Sequence, residues 1–229
     1  MNILTYFDKQ FIDGLAFCQE AYHFFETIRG EQDGISKIRL RETDREKKLL
    51  EEILPICTYI QSIYRPGRYI SVCWHYGNQN FDAEIKQTGW LVEEGFFRAH
   101  HYLEVTCVMH PNEYLGRERI NTIGYTFGVK GLRRLKTREI ESEVTVHDGQ
   151  DFVEEFAELL INRIKDKASK FYPANTILIV HCTLNNLYTP DDWEYLKRIT
   201  KQANIHHAFT EIYIFETVSY YSFKLYPHS

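Results

Sequence analysis

The stretch HYLEVTCVMHP, residues 101–111, guides the interpretation of the whole chain, because its polar and apolar residues alternate. One face carries Leu103, Val105, Cys107 and Met109, and the other carries Tyr102, Glu104, Thr106 and Val108. This period of two predicts a half-buried β-strand. Glu104 is then either an ordinary solvent-facing carboxylate or a carboxylate held at the sheet surface for chemistry, and the strand alone is compatible with both.

The segments on either side of this strand predict a mixed sheet. Upstream, RPGRYISVCW (65–74) and FDAEIKQTG (81–89) each predict a short strand, so three closely spaced strands indicate an antiparallel meander. Downstream, DFVEEFAELLINRIKDKASKFYP (151–173) has the apolar stripe of an amphipathic helix and leads into NTILIVHC (175–182), a continuous apolar run typical of a buried strand. A helix that leads into a buried strand predicts a parallel crossover.

These elements predict one α/β domain over residues 1–229, with a mixed central sheet (an antiparallel meander plus a parallel crossover strand) flanked by helices. The further predicted elements are helices over 6–28, 44–64 and 191–203, a strand or a hairpin with glycine turns over 124–131, and strands over 139–149, 211–216 and 219–227. Within this domain we expect an N-terminal helical region over residues 1–65, a core over 66–182 that contains a basic insertion 112–149, and a C-terminal helix-strand extension over 183–229.

Composition narrows the class of protein. A hydrophobic content of 44% with 15% aromatic residues is enough apolar surface for a folded core and excludes a disordered chain. No apolar run is long enough to span a membrane, and the start MNILTYFDKQF lacks the layout of a signal peptide. The five cysteines form no CxxC pair, which argues against a zinc ribbon and for reduced thiols. We therefore expect a cytoplasmic protein without membrane association.

Charge is unevenly distributed along the chain. The net charge of -5 argues against bulk coating of nucleic acid, but residues 117–138 hold seven basic residues and one acid. The basic residues are Arg117, Arg119, Lys130, Arg133, Arg134, Lys136 and Arg138. This patch is either a set of phosphate contacts or the solvated surface of a hairpin.

Acidic residues recur on two of the predicted strands. Asp82, Glu84 and Lys86 are two apart and share one face of their strand, and Glu104 shares a face with Thr106 on another. If these faces align, carboxylates converge, and a divalent cation such as Mg²⁺ or Mn²⁺ would neutralise them. The alternative is that these residues form the ordinary wet face of a sheet.

In the order of these elements, residues 44–182 resemble the restriction-endonuclease-like, PD-(D/E)xK, superfamily. The resembling pieces are the acidic helix REKKLLEEI, the segment NFDAEI with Asp82, the segment HYLEVT with Glu104 and Thr106, and the helix that feeds NTILIVHC. The resemblance implies a mixed-sheet core flanked by helices, and Mg²⁺-dependent cleavage of phosphodiester bonds. Thr106 stands where the family has lysine, and Asn80-Phe81 replaces the usual proline.

The resemblance makes a metal-dependent DNA nuclease the leading hypothesis. Asp82 and Glu104 would hold Mg²⁺, Thr106 would occupy the motif's lysine position, and Lys86 would supply the missing positive charge. Glu51 and Glu52, or Glu46, on the preceding helix are further candidates for a metal ligand or for a group that supports one, and the alternative is that they are solvent-facing acids of an amphipathic helix. Cleavage of both strands would call for a homodimer, and restriction, phage defence, mobile-element processing and repair are all compatible settings.

Two alternatives remain open. One is a catalytically inactive relative that uses the same fold to bind nucleic acid or protein within a larger assembly. The other is an interaction protein without nucleic acid, whose C-terminal tyrosines line a partner surface.

Overall fold

The computed structural model describes residues 3–143, 149–184 and 188–227. Over these ranges the chain forms a mixed seven-stranded sheet flanked by helices, together with a separate two-stranded sheet. The strands are β1 (Ile12–Asp13), β2 (Tyr69–Trp74), β3 (Ala83–Thr88), β4 (His100–Val108), β5 (Leu132–Arg134), β6 (Ile140–Ser142), β7 (Thr176–Cys182), β8 (Glu211–Phe215) and β9 (Ser222–Leu225).

Most of the helices lie before β2, and the others lie between later strands. The helices are α1 (Ile3–Phe7), α2 (Gly14–Gly30), α3 (Gly34–Leu40), α4 (Asp44–Lys48), a π-helical segment (Leu49–Ile53), α5 (Leu54–Ile63), α6 (Trp90–Glu93), α7 (Glu113–Ile123), α8 (Gly149–Ala168) and α9 (Pro190–Gln202). None of the helices in the described ranges is long and apolar enough to cross a membrane.

The large sheet has the order β1-β2-β3-β4-β7-β8-β9. Strands β1 to β4 pair antiparallel, and β7 then pairs parallel to β4, with Tyr102 opposite Thr176 and Glu104 opposite Leu178. Strand β8 continues parallel to β7, and β9 closes the edge antiparallel to β8. The predicted meander and parallel crossover are therefore confirmed.

A hydrophobic core lies on each face of the sheet. Helices α2 and α5 bury residues such as Phe17 and Ile60 against the first face, and α8 and α9 bury Leu160 and Leu196 against the second. In β4, Leu103 and Val105 point into the first core and Val108 into the second, as the alternation predicts. Of the described residues, none from β2 or β3 belongs to the second core, so α8 and α9 leave that region of the sheet uncovered.

The N-terminal segment differs from the single helix predicted over residues 6–28. It forms the short helix α1, the strand β1, and then α2, which starts at Gly14. Asp13 explains the late start, because its Oδ1 accepts the backbone N–H groups of Leu15 and Ala16 as an N-cap. The aromatic spacing alone does not reveal this start signal.

The predicted second helix, 44–64, is present but changes geometry in its middle. Its residues run from α4 through the π-helical segment into α5, and the wide turn comes just before Pro55. Proline has no N–H to donate to the carbonyl four residues earlier, that of Glu51, so regular α-helical bonding is interrupted there. The Glu51 carbonyl accepts the thiol of Cys107 at 3.7 Å, which fixes the wide turn against β4.

The insertion folds differently from its predicted strands. Residues 113–123 form helix α7, and the hairpin is built by β5 and β6. Residues 124–131, predicted as a strand or a hairpin with glycine turns, contain the bends and turns but no strand, and the hairpin strands follow at β5 and β6. Of the strand predicted over 139–149, Ile140–Ser142 is confirmed as β6, and residues 144–148 lie outside the described residues.

The C-terminal predictions are confirmed. Thr189 caps α9 in a reciprocal capping box, in which its hydroxyl accepts the Asp192 N–H at 3.2 Å and the Asp192 carboxylate accepts the Thr189 N–H at 2.8 Å. Strands β8 and β9 follow within the predicted segments.

Candidate active site

Asp82 lies at the point where β3 begins, opposite the middle of β4. Its backbone N–H donates to the carbonyl of Leu103 at 2.8 Å, and its side-chain Oδ2 accepts the backbone N–H of Val105 at 2.7 Å. The Asp82 carboxylate thus adds one hydrogen bond to β4 just before the first residue of β3, Ala83, which pairs with Leu103. This backbone bond holds Asp82 beside Glu104, the residue that precedes Val105.

Two other carboxylates, those of Glu52 and Glu104, lie close enough to Asp82 to affect its pKa. Burial, followed by the negative charges of Glu52 and Glu104, raises the pKa of Asp82 from an ordinary 3.8 to about 8. The Val105 N–H and the charge of Lys167 act in the opposite direction but are outweighed. Asp82 therefore retains its proton near neutral pH unless an added positive charge neutralises the cluster.

Glu104 is buried and is paired with groups from the end of the crossover helix α8 and from the segment just after it. Lys167, in the last turn of α8, places its Nζ 2.5 Å from Glu104 Oε1. The Tyr172 hydroxyl donates to the same oxygen at 3.4 Å, and burial followed by the charge of Glu104 raises the pKa of that phenol. Since β7 runs parallel to β4, the helix that returns the chain to the start of β7 ends next to Glu104.

Glu52 enters the site from the π-helical segment. Its Oε1 lies 2.5 Å from Lys48 Nζ, and its Oε2 accepts the indole N–H of Trp74 at 3.3 Å. Burial lowers the pKa of Lys48, but the hydrogen bond and charge of Glu52 and the charge of Asp82 outweigh it, so the pKa is raised. Two lysines, Lys48 and Lys167, therefore face three carboxylates.

The other predicted catalytic residues take different positions. Thr106 is buried on β4, two residues beyond Glu104 on the same face. Lys86 is exposed on β3, four residues from Asp82, which is about 13 Å along a strand. Its ammonium lies over the ring of Phe11, 3.9 Å from the centroid. The structure therefore brings Asp82 and Glu104 together, and the nearest positive charge to Glu104 comes from Lys167 rather than Lys86.

A second polar cluster lies beside this site on the uncovered region of the sheet. The Glu84 carboxylate lies between two histidines, since its Oε1 lies 2.9 Å from His75 Nε2 and its Oε2 lies 2.9 Å from His100 Nε2. The thiol of Cys73 is 3.5 Å from His75 Nε2. Each imidazole contacts a different oxygen of Glu84, so the carboxylate bridges the two rings.

The basic residues of the insertion are largely neutralised by neighbouring acids. Arg133 pairs with Glu141 at 2.6 Å, Arg134 pairs with Glu118 at 2.5 Å, and Lys130 pairs with Glu155. The others are Arg117, which is buried and bonded to Glu113, Arg119, which donates to the Ile140 carbonyl, and Lys136 and Arg138, which are exposed. Much of the positive charge counted in the sequence is thus compensated within the fold.

The oxygen ligands of the site fit a magnesium ion only in part. Within the described ranges, no three His, Cys, Asp or Glu side chains are grouped to hold a metal ion. Mg²⁺ needs fewer protein ligands than zinc, because it keeps several waters and commonly takes one or two carboxylates. Asp82 and Glu104 are such a pair, and together with Glu52 they face two lysines, Lys48 and Lys167.

Sequence reasoning missed Lys167 and Tyr172 as site residues. The signal was present in RIKDKASKFY, where basic residues crowd the end of the helix before the crossover strand. The helix macrodipole also favours basic residues at this end of a helix, so their presence did not by itself indicate a contact with Glu104.

Comparison of the chain with family models, with curated proteins and with solved structures gives no match.

Proposed function

We propose that this chain is a metal-dependent nuclease that hydrolyses DNA phosphodiester bonds at the site formed by Asp82 and Glu104. The observation that carries the proposal is the convergence of Glu52, Asp82 and Glu104 with Lys48 and Lys167, which leaves Asp82 with a pKa of about 8. Strongly perturbed carboxyl groups beside lysines are more typical of catalytic sites than of wet sheet surfaces.

The order of the elements supports the same proposal. A helix, the three antiparallel strands β2, β3 and β4, helix α8 and the parallel strand β7 follow one another around the site. This order agrees with the resemblance to the PD-(D/E)xK superfamily, and Asp82 and Glu104 stand at its two acidic motif positions. We propose a restriction-endonuclease-like core over residues 66–182 on these grounds.

The proposed roles follow from the contacts. Asp82 and Glu104 would hold Mg²⁺ or Mn²⁺, which supplies positive charge at the scissile phosphate and lowers the pKa of water. Lys167 supplies a fixed ammonium where Thr106 carries none, and Tyr172 keeps Glu104 oriented through its hydroxyl. Glu52, held by Lys48 and Trp74, sets the negative potential that favours cation binding at Asp82.

A second candidate function is nucleic-acid or protein binding without catalysis. The observation in its favour is the 2.5 Å ion pair between Lys167 and Glu104, which already neutralises one of the two proposed metal ligands. A cation would have to compete with this lysine, and a chain that has replaced the motif lysine by Thr106 can have lost turnover while keeping its fold.

Cleavage of single-stranded, double-stranded and branched DNA, with RNA included, in Mg²⁺, Mn²⁺ or EDTA tests the proposal. Glu104→Gln and Lys167→Met should abolish metal-dependent cutting, and Lys165→Met, on the same helix turn, is the matched control. Because a ligand carboxyl must lose its proton to bind metal, the thermal shift caused by Mg²⁺ should be larger at pH 8.5 than at pH 6.5. No cleavage by folded protein, together with no metal-induced thermal shift, would favour the binding module.

A further inference from the structure

Exposed aromatic side chains cluster at the end of the meander farthest along β3 from Asp82. They come from the first residue of β2 and from the connection between β3 and β4. Tyr69 is 49% exposed, Trp90 is 57% exposed and Phe96 is 67% exposed, and the rings of Trp90 and Phe96 meet edge to face at 6.4 Å. We call this region, together with Arg65 and Arg98, the meander-end surface.

Backbone contacts hold Trp90 in this exposed position. Gly67 has a φ of +83°, and a Cβ placed there would lie 2.2 Å from the Trp90 indole nitrogen. The Gly67 carbonyl accepts the N–H of Leu91 at 3.1 Å, which ties the two connections together. The indole is therefore presented against a glycine turn and is oriented before any ligand arrives.

Positive charge at this surface is not neutralised in the way it is at the insertion. Arg65, Lys86 and Arg98 are exposed, and none of them has an ion pair with an acid in the described ranges. The guanidinium of Arg68 lies over the ring of Phe97 at 3.8 Å. Arg68 itself is buried, and two exposed acids, Glu93 and Glu94, lie in the same connection, so three exposed cations face two exposed acids and leave a small positive excess.

The meander-end surface is continuous with the candidate active site along β3. Lys86 lies on this strand between them, with its ammonium over the exposed ring of Phe11. The six residues of β3 cover about 20 Å, so a chain laid along the strand passes from the aromatic rings to Asp82. The uncovered region of the sheet leaves this path open to a ligand.

We propose that the meander-end surface binds an unpaired segment of nucleic acid, so that the substrate of the site carries a single-stranded stretch next to the cleaved bond. The inference rests on the proposed function. Bases stack on Tyr69, Trp90 and Phe96, and phosphates contact Arg65 and Arg98. Interleaved aromatic and basic side chains suit single strands, because bases within a duplex are already stacked on one another. The same residue types suit protein interfaces, but the uncompensated cations and the path to the carboxylates favour a polyphosphate chain.

The intrinsic fluorescence of the protein gives a direct test. Trp74 and Trp193 are buried, whereas Trp90 is exposed, so stacking of a base should quench mainly Trp90. The probes are a 20-nucleotide oligothymidylate and a duplex of the same length, titrated in EDTA at 50 and at 200 mM salt. We expect quenching by the single strand, affinity for it at least tenfold above that for the duplex, and weakening at the higher salt.

Variants with a labelled oligonucleotide make the test specific to this surface. Phe96→Ala and Arg65→Ala should each weaken single-strand binding by on the order of tenfold. Their matched controls are Phe127→Ala and Arg133→Ala, which remove an exposed phenylalanine and an arginine from the insertion and should leave binding unchanged. Thermal denaturation establishes that each variant is folded.

The outcomes separate this inference from the nuclease proposal, since binding is measured in EDTA and without turnover. Single-strand binding that depends on Phe96 and Arg65 supports the surface even if no substrate is ever cleaved. Duplex binding at equal or higher affinity overturns it, and so does binding that responds to the insertion variants instead. Cleavage of DNA by an Arg65→Ala, Phe96→Ala double variant at the normal KM would also overturn it while leaving the nuclease intact.

Discussion

Asp82→Asn should make the protein more stable at neutral and alkaline pH while abolishing any metal-dependent activity. The unfolded chain releases the Asp82 proton near its ordinary pKa, whereas the folded chain retains it up to a pKa of about 8. Between these two values the folded state binds more protons than the unfolded state, so the free energy of unfolding falls as the pH rises. Asparagine has no proton to lose and can still accept the Val105 N–H through its side-chain oxygen.

The size of the effect follows from the pKa difference. One pKa unit corresponds to about 1.4 kcal/mol, so the wild-type protein can lose at most about 4 kcal/mol between pH 5 and pH 8 from this group. Asp82 is only partly buried, and water and nearby lysines screen its charge, so we expect about 2 kcal/mol. Above pH 8 both states are ionised at this position and the contribution becomes constant.

Urea unfolding at pH 5, 6, 7 and 8 measures this contribution. The wild-type free energy of unfolding should decline by about 2 kcal/mol more than that of Asp82→Asn over the series. Asp166→Asn, which changes an exposed carboxylate of α8, should keep the wild-type slope. Equal slopes for wild type and Asp82→Asn would show that Asp82 is not the titrating group, and the account of the carboxylate cluster would be wrong.

Three smaller predictions follow from individual contacts. Lys167→Met leaves the buried Glu104 without its ion partner and should cost about 2 kcal/mol in urea unfolding, and adding Glu104→Gln should recover much of this loss. Thr189→Ala removes half of the capping box of α9 and should cost about 1 kcal/mol in the same assay. Burial raises the pKa of Cys73 to about 11 and that of Cys107 to about 12, so a disulfide reagent at pH 8 should react with the folded protein far more slowly than with the five thiols of the unfolded chain.

Each of these has a matched comparison. Lys165→Met should leave stability unchanged, and equal losses in both lysine variants would point to the helix rather than to the ion pair. Thr122→Ala removes an exposed hydroxyl that bonds only to its own helix, so a loss as large as that of Thr189→Ala would contradict the capping assignment. Rapid modification of a thiol at pH 8 without unfolding would contradict the raised pKa values.

Much of the sheet could be predicted from the sequence because its strands have clear periodicities. The alternation in β3 and β4 and the apolar run of β7 are local patterns, and the long helix before β7 implies a parallel crossover. The insertion was harder because its helix, α7, buries few residues and its apolar pattern is weak. The break between α1 and α2 depends on one capping residue, Asp13, whose role becomes clear only when the following N–H groups are located.

The acids of the candidate site could be predicted because they lie on neighbouring strands, whereas Lys167 could not because it comes from a distant part of the chain. Asp82 and Glu104 lie on neighbouring strands, so the side-chain period and the antiparallel register place them together. Lys167 is 63 residues away from Glu104 in sequence, and only the crossover geometry brings it close. Lys86 is close to Asp82 in sequence but not in space. Each residue of an extended strand moves the chain by about 3.3 Å, so four residues separate the two side chains widely.

The crossover also explains why the site carries positive charge beside Glu104 although position 106 is a threonine. A lysine at position 106 would lie two residues beyond Glu104 on the same face of β4. Its side chain would project from the sheet at that position and carry the ammonium group there. The last turn of α8 covers the same face because β7 must start beside β4, and the ammonium of Lys167 reaches Glu104 from above. Thr106 is buried on β4, on the same strand face as Glu104, and its small hydroxyl carries no charge. Thr106→Lys would therefore place a second ammonium at a buried position of this face, and we expect it to destabilise the fold.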